Sequence, residues 1–353
     1  MSKVRAAILG ASGLVSQRMQ QRLSMHPWFE LVAVAGRAVD TKLSALDWYL
    51  DETRPQFIDE CDINILDIHD EHLSTKLLQK NVQVVFSALP SQPAIEIEAD
   101  LVNAGLHVFS NASAYRMHPD VALVVADVNP DALIRPKDGR ALHACATNCT
   151  LIPILHPLTV LKRHYTITKV VARSEQALSG AGWTLLHDSE KKTEAINKEI
   201  PGEADKIIEE IERILHLEDI DWDVQCKRVD ERDGHIVHVD VHLTEEPTMQ
   251  SIESMFETMN VDELNPLPSQ PEFSMTMIRS EPTRQEDLWN GQTIKPVQPS
   301  IDLKAGMTTT VQCKSVDKGV VSFTALSHNT IRGAAGGVIL LAELAHFYNF
   351  FKQ

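Results

Sequence analysis

The chain has 353 residues, long for a single core, so two domains are expected, and its 43% hydrophobic and 23% charged content is that of a globular protein in water. A formal net charge of −16 supplies no basic stripe for nucleic acid or an anionic membrane, and any anionic ligand needs locally placed Arg, Lys or helix termini. Five irregularly spaced cysteines suit a reducing compartment, no apolar stretch is long enough to span a bilayer, and residues 1–30 lack a secretion signal, so a cytoplasmic setting is expected.

Val4 to Leu9 is a short apolar run, followed by Gly10-Ala11-Ser12-Gly13-Leu14-Val15-Ser16 and an amphipathic segment to about Met25. A second apolar run, Leu31 to Ala35, ends in Gly36-Arg37. Strand, glycine turn, helix, strand is the opening of a dinucleotide-binding unit. Gly10 permits the tight turn, Gly13 lets the main chain approach a pyrophosphate, and the helix N-terminus faces its charge. Ser16 stands where the fingerprint has its third glycine, so a generic strand-to-helix turn is an equal reading at this point. Arg37 precedes Asp40 after the second run, which favours a 2′-phosphate, and hence NADP, over a bare ribose hydroxyl. A solvated surface arginine is the plain alternative.

Val82 to Phe86 reads as a strand entering the turn Ser87-Ala88-Leu89-Pro90-Ser91, Ala94 to Ala104 as a helix, and His107 to Ser110 as a strand. Its loop, Ser110 to Met117, carries one arginine, Arg116, and Leu123–Ala126 and Leu142–Ala144 bring the count to about six strands. The segment Ala146-Thr147-Asn148-Cys149-Thr150 then joins a strand to an apolar helix, Leu151 to Leu161. A cysteine at a helix N-terminus faces unpaired N–H groups that favour the thiolate, and Asn148 is a candidate cap. A small buried cysteine is the simpler account of Cys149 taken alone. Cys145, four residues earlier within the strand, lacks the helix-start position.

Downstream, Lys169 to Ser174 is a β-branched run leading to Glu175-Gln176-Ala177-Leu178-Ser179-Gly180-Ala181-Gly182-Trp183. Residues 203–215 place Ile207, Ile208, Ile211 and Ile214 at helical spacing with Glu209 and Glu210 outside. In 236–243 the valines alternate with His238, Asp240 and His242, and His235 leads the valine face toward the interior or a cleft. The His238–Asp240–His242 face has metal-ligand spacing, but it is the wetter side of a half-buried strand, and no metal is expected. Ser251–Met259 reads as helix, Val320–Ala325 as strand, and Val338–Tyr348 as an apolar helix that must bury a face. Without regular alternation, this half suggests an α+β domain with a mixed or antiparallel sheet.

The segments AILGASGLVSQRM, SALPS, SNASAYRM, TNCT, EQALSGAG, RVDERDGH and HNTIRGAAGG occur in this order between residues 5 and 337. Together they resemble the aspartate-β-semialdehyde dehydrogenase family, especially its archaeal and fungal-like branch. The resemblance implies NADP and a thioester mechanism: Cys149 the nucleophile, His235 the acid/base, Gln176 orienting the tetrahedral intermediate. It implies that Arg228 grips the substrate carboxylate and Glu203 lies near its ammonium, with Arg116 and Lys206 serving phosphate and Asn148 beside the nucleophile. An ordinary surface charge pair is the plain reading of Glu203 and Lys206. Cofactor contacts are implied at Gly10, Ser12, Gly13, Leu14, Val15, Arg37, Ser87, Leu89, Pro90, Ser179, Gly180 and Asn329. A homodimer or a tetramer built from it is also implied.

The chain departs from the family pattern after SGAG, where residues 183–189 read WTLLHDS, at Ser16, and around Arg284 and Trp289. These departures keep open a relative that reduces malonyl- or succinyl-CoA with the same cysteine; a non-catalytic NADP-binding protein and N-acetyl-glutamyl-phosphate reductase are further alternatives. The expected architecture is a Rossmann-like NADP-binding domain over about 1–148, to which the segment 330–353 returns. A catalytic and dimerisation domain follows over 149–329.

Overall fold

The computed structural model describes residues 2–257, 259 and 264–351. Seven strands build a first sheet: β1 Val4–Leu9, β2 Phe29–Gly36, β3 Leu66–Asp67, β4 Val84–Ser87, β5 His107–Ser110, β6 Ala122–Leu123 and β7 His143–Cys145. Their order is β3-β2-β1-β4-β5-β7-β6 and every pairing is parallel. β1 and β4 are almost wholly buried, as expected of strands covered on both faces. The order reverses between β1 and β4, so a crevice opens beyond their C-terminal ends, where the Gly10 and Ser87 turns lie.

The second sheet comprises β8 Ile167–Gln176, β9 Asp221–Arg228, β10 His235–Leu243, β11 Met275–Met277, β12 Thr309–Asp317 and β13 Val320–Ser327. Its order is β11-β12-β13-β10-β8-β9. β10 runs antiparallel to β8 and β13, while β8–β9 and β11–β12 are parallel, so the sheet is mixed. Val237, Val239 and Val241 join Val170, Ala172 and Phe323 in one core with the helices Ile152–His164, Glu203–Leu215 and Met249–Glu257. Parallel pairing sets Gln176 beside Arg228, and antiparallel pairing brings the start of β10, His235, to that same end of the sheet. Three chemically useful side chains thereby converge from distant parts of the chain.

The apolar helix Gly336–Phe347 is buried in the first core with β1, β4 and β5 residues such as Ile8, Phe86 and Phe109. Seven strands rather than six precede Cys149, because Leu66–Asp67 adds an edge, and the strand expected over Leu123–Ala126 is confined to Ala122–Leu123. The helix expected over Ser251–Met259 covers Met249–Glu257. Among the described residues no helix is long and apolar enough to cross a membrane.

Candidate active site

Cys149 follows β7 in a turn, and the helix after it begins only at Ile152. Asn148 does not cap that helix: its Oδ1 accepts from Thr150 N–H at 2.8 Å, closing a local turn around the cysteine. The expected thiolate-favouring helix start is therefore displaced from the sulfur. Burial instead pushes the Cys149 thiol up to about 11, helped by the Glu203 carboxylate and opposed by Arg116 and Arg228. At rest Cys149 is a protonated thiol.

His235 is fully buried and its Nε2 lies 3.2 Å from Cys149 Sγ. Its Nδ1 accepts the backbone N–H of Ala177 at 3.0 Å, so the single proton of the neutral ring sits on Nε2, facing the sulfur. Burial, reinforced by Arg228, Arg284 and His328, holds the imidazole well below its usual range, so it is neutral at rest. Arg228 Nη1 donates to the carbonyl of the same Ala177 at 2.7 Å. The backbone of one residue thus sets both the imidazole and the guanidinium. Gly180 lies against both: a Cβ there would stand 3.1 Å from Arg228 Nη1 and 3.2 Å from His235 Nε2.

The opposite wall is the helix Glu203–Leu215. Glu203 Oε1 accepts from Asn148 Nδ2 at 2.8 Å and Gln176 Nε2 at 3.3 Å, so it joins the Cys149 turn to the end of β8. Lys206 stands half exposed, 3.7 Å from Glu203. Glu210 was expected on the outer face, yet it is buried at 2% exposure, because two helical turns return it to the side of Glu203 and Ile207. Its Oε1 accepts from Arg116 Nη1 at 2.9 Å and its Oε2 from the N–H of Asn148 at 2.7 Å. Arg116 also donates to the Asn111 carbonyl at 2.7 Å, and its buried Nε has no protein partner among the described residues. Cys149, His235, Gln176, Arg228, Asn148, Glu203 and Arg116 form one cluster, with Lys206 at its rim.

Residues 5–135 match the family model described as "Semialdehyde dehydrogenase, NAD binding domain". Over 96% of its length the chain is 35% identical to the aspartate-semialdehyde dehydrogenase of Archaeoglobus fulgidus, of which it covers 96%. The chain belongs to the aspartate-semialdehyde dehydrogenase family. The crystal structure of aspartate semialdehyde dehydrogenase with NADP from Candida albicans superposes with a TM-score of 0.81 at 27% identity, covering 99% of this chain and 100% of that one. A malonyl CoA reductase (NADP) from Metallosphaera sedula is 26% identical over 97% of this chain and 96% of its own.

The crevice has the features that a dinucleotide needs of this family. Gly10 adopts φ +98° with the Ala88 carbonyl so close that a Cβ would meet it at 3.0 Å. Gly13 heads the helix Leu14–Leu23, whose first turn carries no acidic residue. Ser16, replacing the third glycine, is buried, accepts from Gln20 Nε2 at 3.2 Å and does not block the turn. Among the described residues, buried Ser87 Oγ and both amide atoms of Asn111 have no protein partner at the ends of β4 and β5, as polar groups awaiting a ligand would. Ser12, Leu14 and Val15 share the first turn, Leu89 and Pro90 the second, and Arg37 stands exposed after β2. Across the cleft, Asn329 donates to Ser179 Oγ at 2.8 Å and accepts from Gly234 N–H at 2.8 Å, so its amide organises the loop before His235.

Ala177, Glu210 and Asn111 were not singled out from the sequence. Only Glu210 carried a signal, its seven-residue spacing from Glu203.

Proposed function

We propose that the protein is an NADP-dependent aspartate-semialdehyde dehydrogenase, interconverting aspartate semialdehyde and phosphate with aspartyl phosphate through a thioester on Cys149, a step in forming lysine, methionine and threonine. The carrying observation is the pairing of opposite charges around one sulfur. Arg228 and Glu203 both act on Cys149, matching the carboxylate and ammonium of an amino-acid aldehyde.

In the oxidative direction Cys149 attacks the aldehyde carbon while His235 Nε2 gives its proton to the new hydroxyl oxygen and takes the thiol proton in its place. The ring stays neutral through this exchange, because burial and Arg228 disfavour an imidazolium and Ala177 N–H occupies Nδ1. Gln176 reaches toward the same centre from the end of β8. NADP held at the Gly10 and Ser87 turns would supply the hydride acceptor. Loss of the hydride from the carbon and of the proton from its hydroxyl oxygen leaves an acyl thioester on Cys149. Phosphate attacks this carbonyl and the sulfur departs; Arg116 and Lys206 supply the local cations that a chain of charge −16 needs for it.

The similarity to a malonyl CoA reductase supports a second reading in which a coenzyme A thioester is reduced at Cys149. A malonyl group brings no ammonium to Glu203, and this favours the first. The deciding experiment follows NADPH formation with aspartate semialdehyde plus phosphate against malonate or succinate semialdehyde plus coenzyme A. Phosphate-dependent turnover of the amino-acid aldehyde is expected; turnover only with coenzyme A would establish the second reading. A homodimer, or a tetramer built from it, in the cytoplasm belongs to this proposal, supported by the family relationship and by five free cysteines.

A further inference from the structure

Behind Cys149 lies a segment to which the chemistry above gives no task. Between β13 and the C-terminal helix the chain forms a π-helical turn, Ile331–Ala335, in which Gly333 N–H bonds the His328 carbonyl at 3.1 Å and Ala335 N–H the Thr330 carbonyl at 3.2 Å. Such widened turns recur at functional sites. Here the turn presses Gly333 onto the nucleophile: a Cβ built there would stand 2.8 Å from Cys149 Cβ, 2.9 Å from its Cα and 3.0 Å from its carbonyl oxygen. Two of those atoms are backbone, so no rotamer change relieves the contact.

The adjacent Arg332, 2% exposed, donates through Nη2 to Asp127 Oδ1 in the loop after β6. The same oxygen lies 3.3 Å from His156 Nε2, and His156 Nδ1 meets Thr309 Oγ1 of β12 at 2.8 Å. His156 is on the helix Ile152–His164, which starts three residues after Cys149. The π turn, the helix that follows the nucleophile, β12 and the loop after β6 are thus fastened together at one buried charge cluster. Arg332 brings the strongest leverage, since it directly precedes the glycine in contact with Cys149.

We propose that Gly333 and Arg332 are positioning residues for Cys149: the π turn is a wall that sets the sulfur's distance to His235, and the Arg332–Asp127–His156 cluster clamps that wall. The proposal rests on the reading of Cys149 as nucleophile.

The test is the iodoacetamide alkylation rate of Cys149 in the full-length protein, read by peptide mass from about pH 7 to about pH 11, beside kcat and KM. In Gly333→Ala, kcat and the alkylation rate fall roughly tenfold or more, because small misplacements of a reacting group are costly. The alkylation pH profile shifts as the His235 contact lengthens, and the KM for the cofactor stays within about twofold. A folded Gly333→Ala protein with wild-type alkylation and kcat overturns the proposal. Should that variant not fold, the double variant Arg332→Met/Asp127→Leu decides, since it removes both charges together and leaves neither buried alone. It is expected to fold and to alkylate more slowly; an unchanged profile there overturns the clamp. Failure of the functional reading shows separately, as a wild-type protein that alkylates at Cys149 and turns over no semialdehyde.

Discussion

Cys149 rests as a thiol raised to about 11, so without substrate its alkylation should climb about tenfold per pH unit through the neutral range, following the thiolate fraction. A rate that levels off near neutrality would refute this. Glu203 is the charge that raises the thiol, and removing it favours the thiolate. Glu203→Gln is therefore expected to alkylate faster at a given pH while its KM for the amino-acid substrate rises, two shifts of opposite benefit from one substitution. Arg228 has one Nη occupied by the Ala177 carbonyl. In Arg228→Lys the fork becomes a single point contact, and the loss of about 1–3 kcal/mol should appear mainly in substrate KM; an unchanged KM would place the carboxylate elsewhere. Residue types at this site were legible because each motif carried its own chemistry. The protonation states were not. They follow from burial and from Ala177, whose backbone meets His235 across 58 positions of sequence.

Elements differ in how much of their role the sequence carries. β10 could be placed by its valine alternation because one face of it is buried, and the same alternation turned His235 inward. β9 and β12 escaped notice: β9 mixes Asp, Gln and Lys with few buried positions, and its pairing with β8 is a long-range contact. The helix Glu203–Leu215 shows the limit well. Its isoleucines gave its existence, yet the partner that makes Glu210 an interior residue, Arg116, lies 94 positions away. The π turn is likewise a product of close packing against Cys149 rather than of local preference. Since Arg116 and Glu210 are both buried, Glu210→Ala strands a charge and should cost about 3–5 kcal/mol in urea unfolding, whereas Glu210→Gln retains a hydrogen-bond acceptor and loses less. Equal losses would mean that the ion pair is not what Glu210 contributes.

Across the whole molecule, the two sheets are tied by a bridge between the loop after β2 and the segments around the catalytic end of the second sheet. Gln17, in the helix after the Gly10 turn, donates to the Asp47 carbonyl at 2.7 Å and accepts from Tyr49 N–H at 2.8 Å. Arg232 pairs with Asp51 at 2.7 Å, and Arg18 joins Glu52 to Asp233. The segment 183–189, which departs from the family pattern, forms a short helix from Trp183, and Trp183 stacks on Tyr49 with ring centroids 5.0 Å apart and planes 3° from parallel. Trp183 thus holds a loop that Gln17 fastens to the helix after the Gly10 turn. An aromatic pair of this kind contributes about 0.5–1.5 kcal/mol, so Trp183→Ala should raise the cofactor KM roughly two- to tenfold. The alkylation rate of Cys149 without cofactor should stay at the wild-type value, because the stack joins Trp183 to Tyr49 in the loop after β2. If the pair acts as a unit, Tyr49→Ala/Trp183→Ala will be no worse than either single change. Additive losses in that cycle would show that the two rings serve the cofactor separately, and a fall in alkylation would place Trp183 in the shaping of the acyl pocket instead.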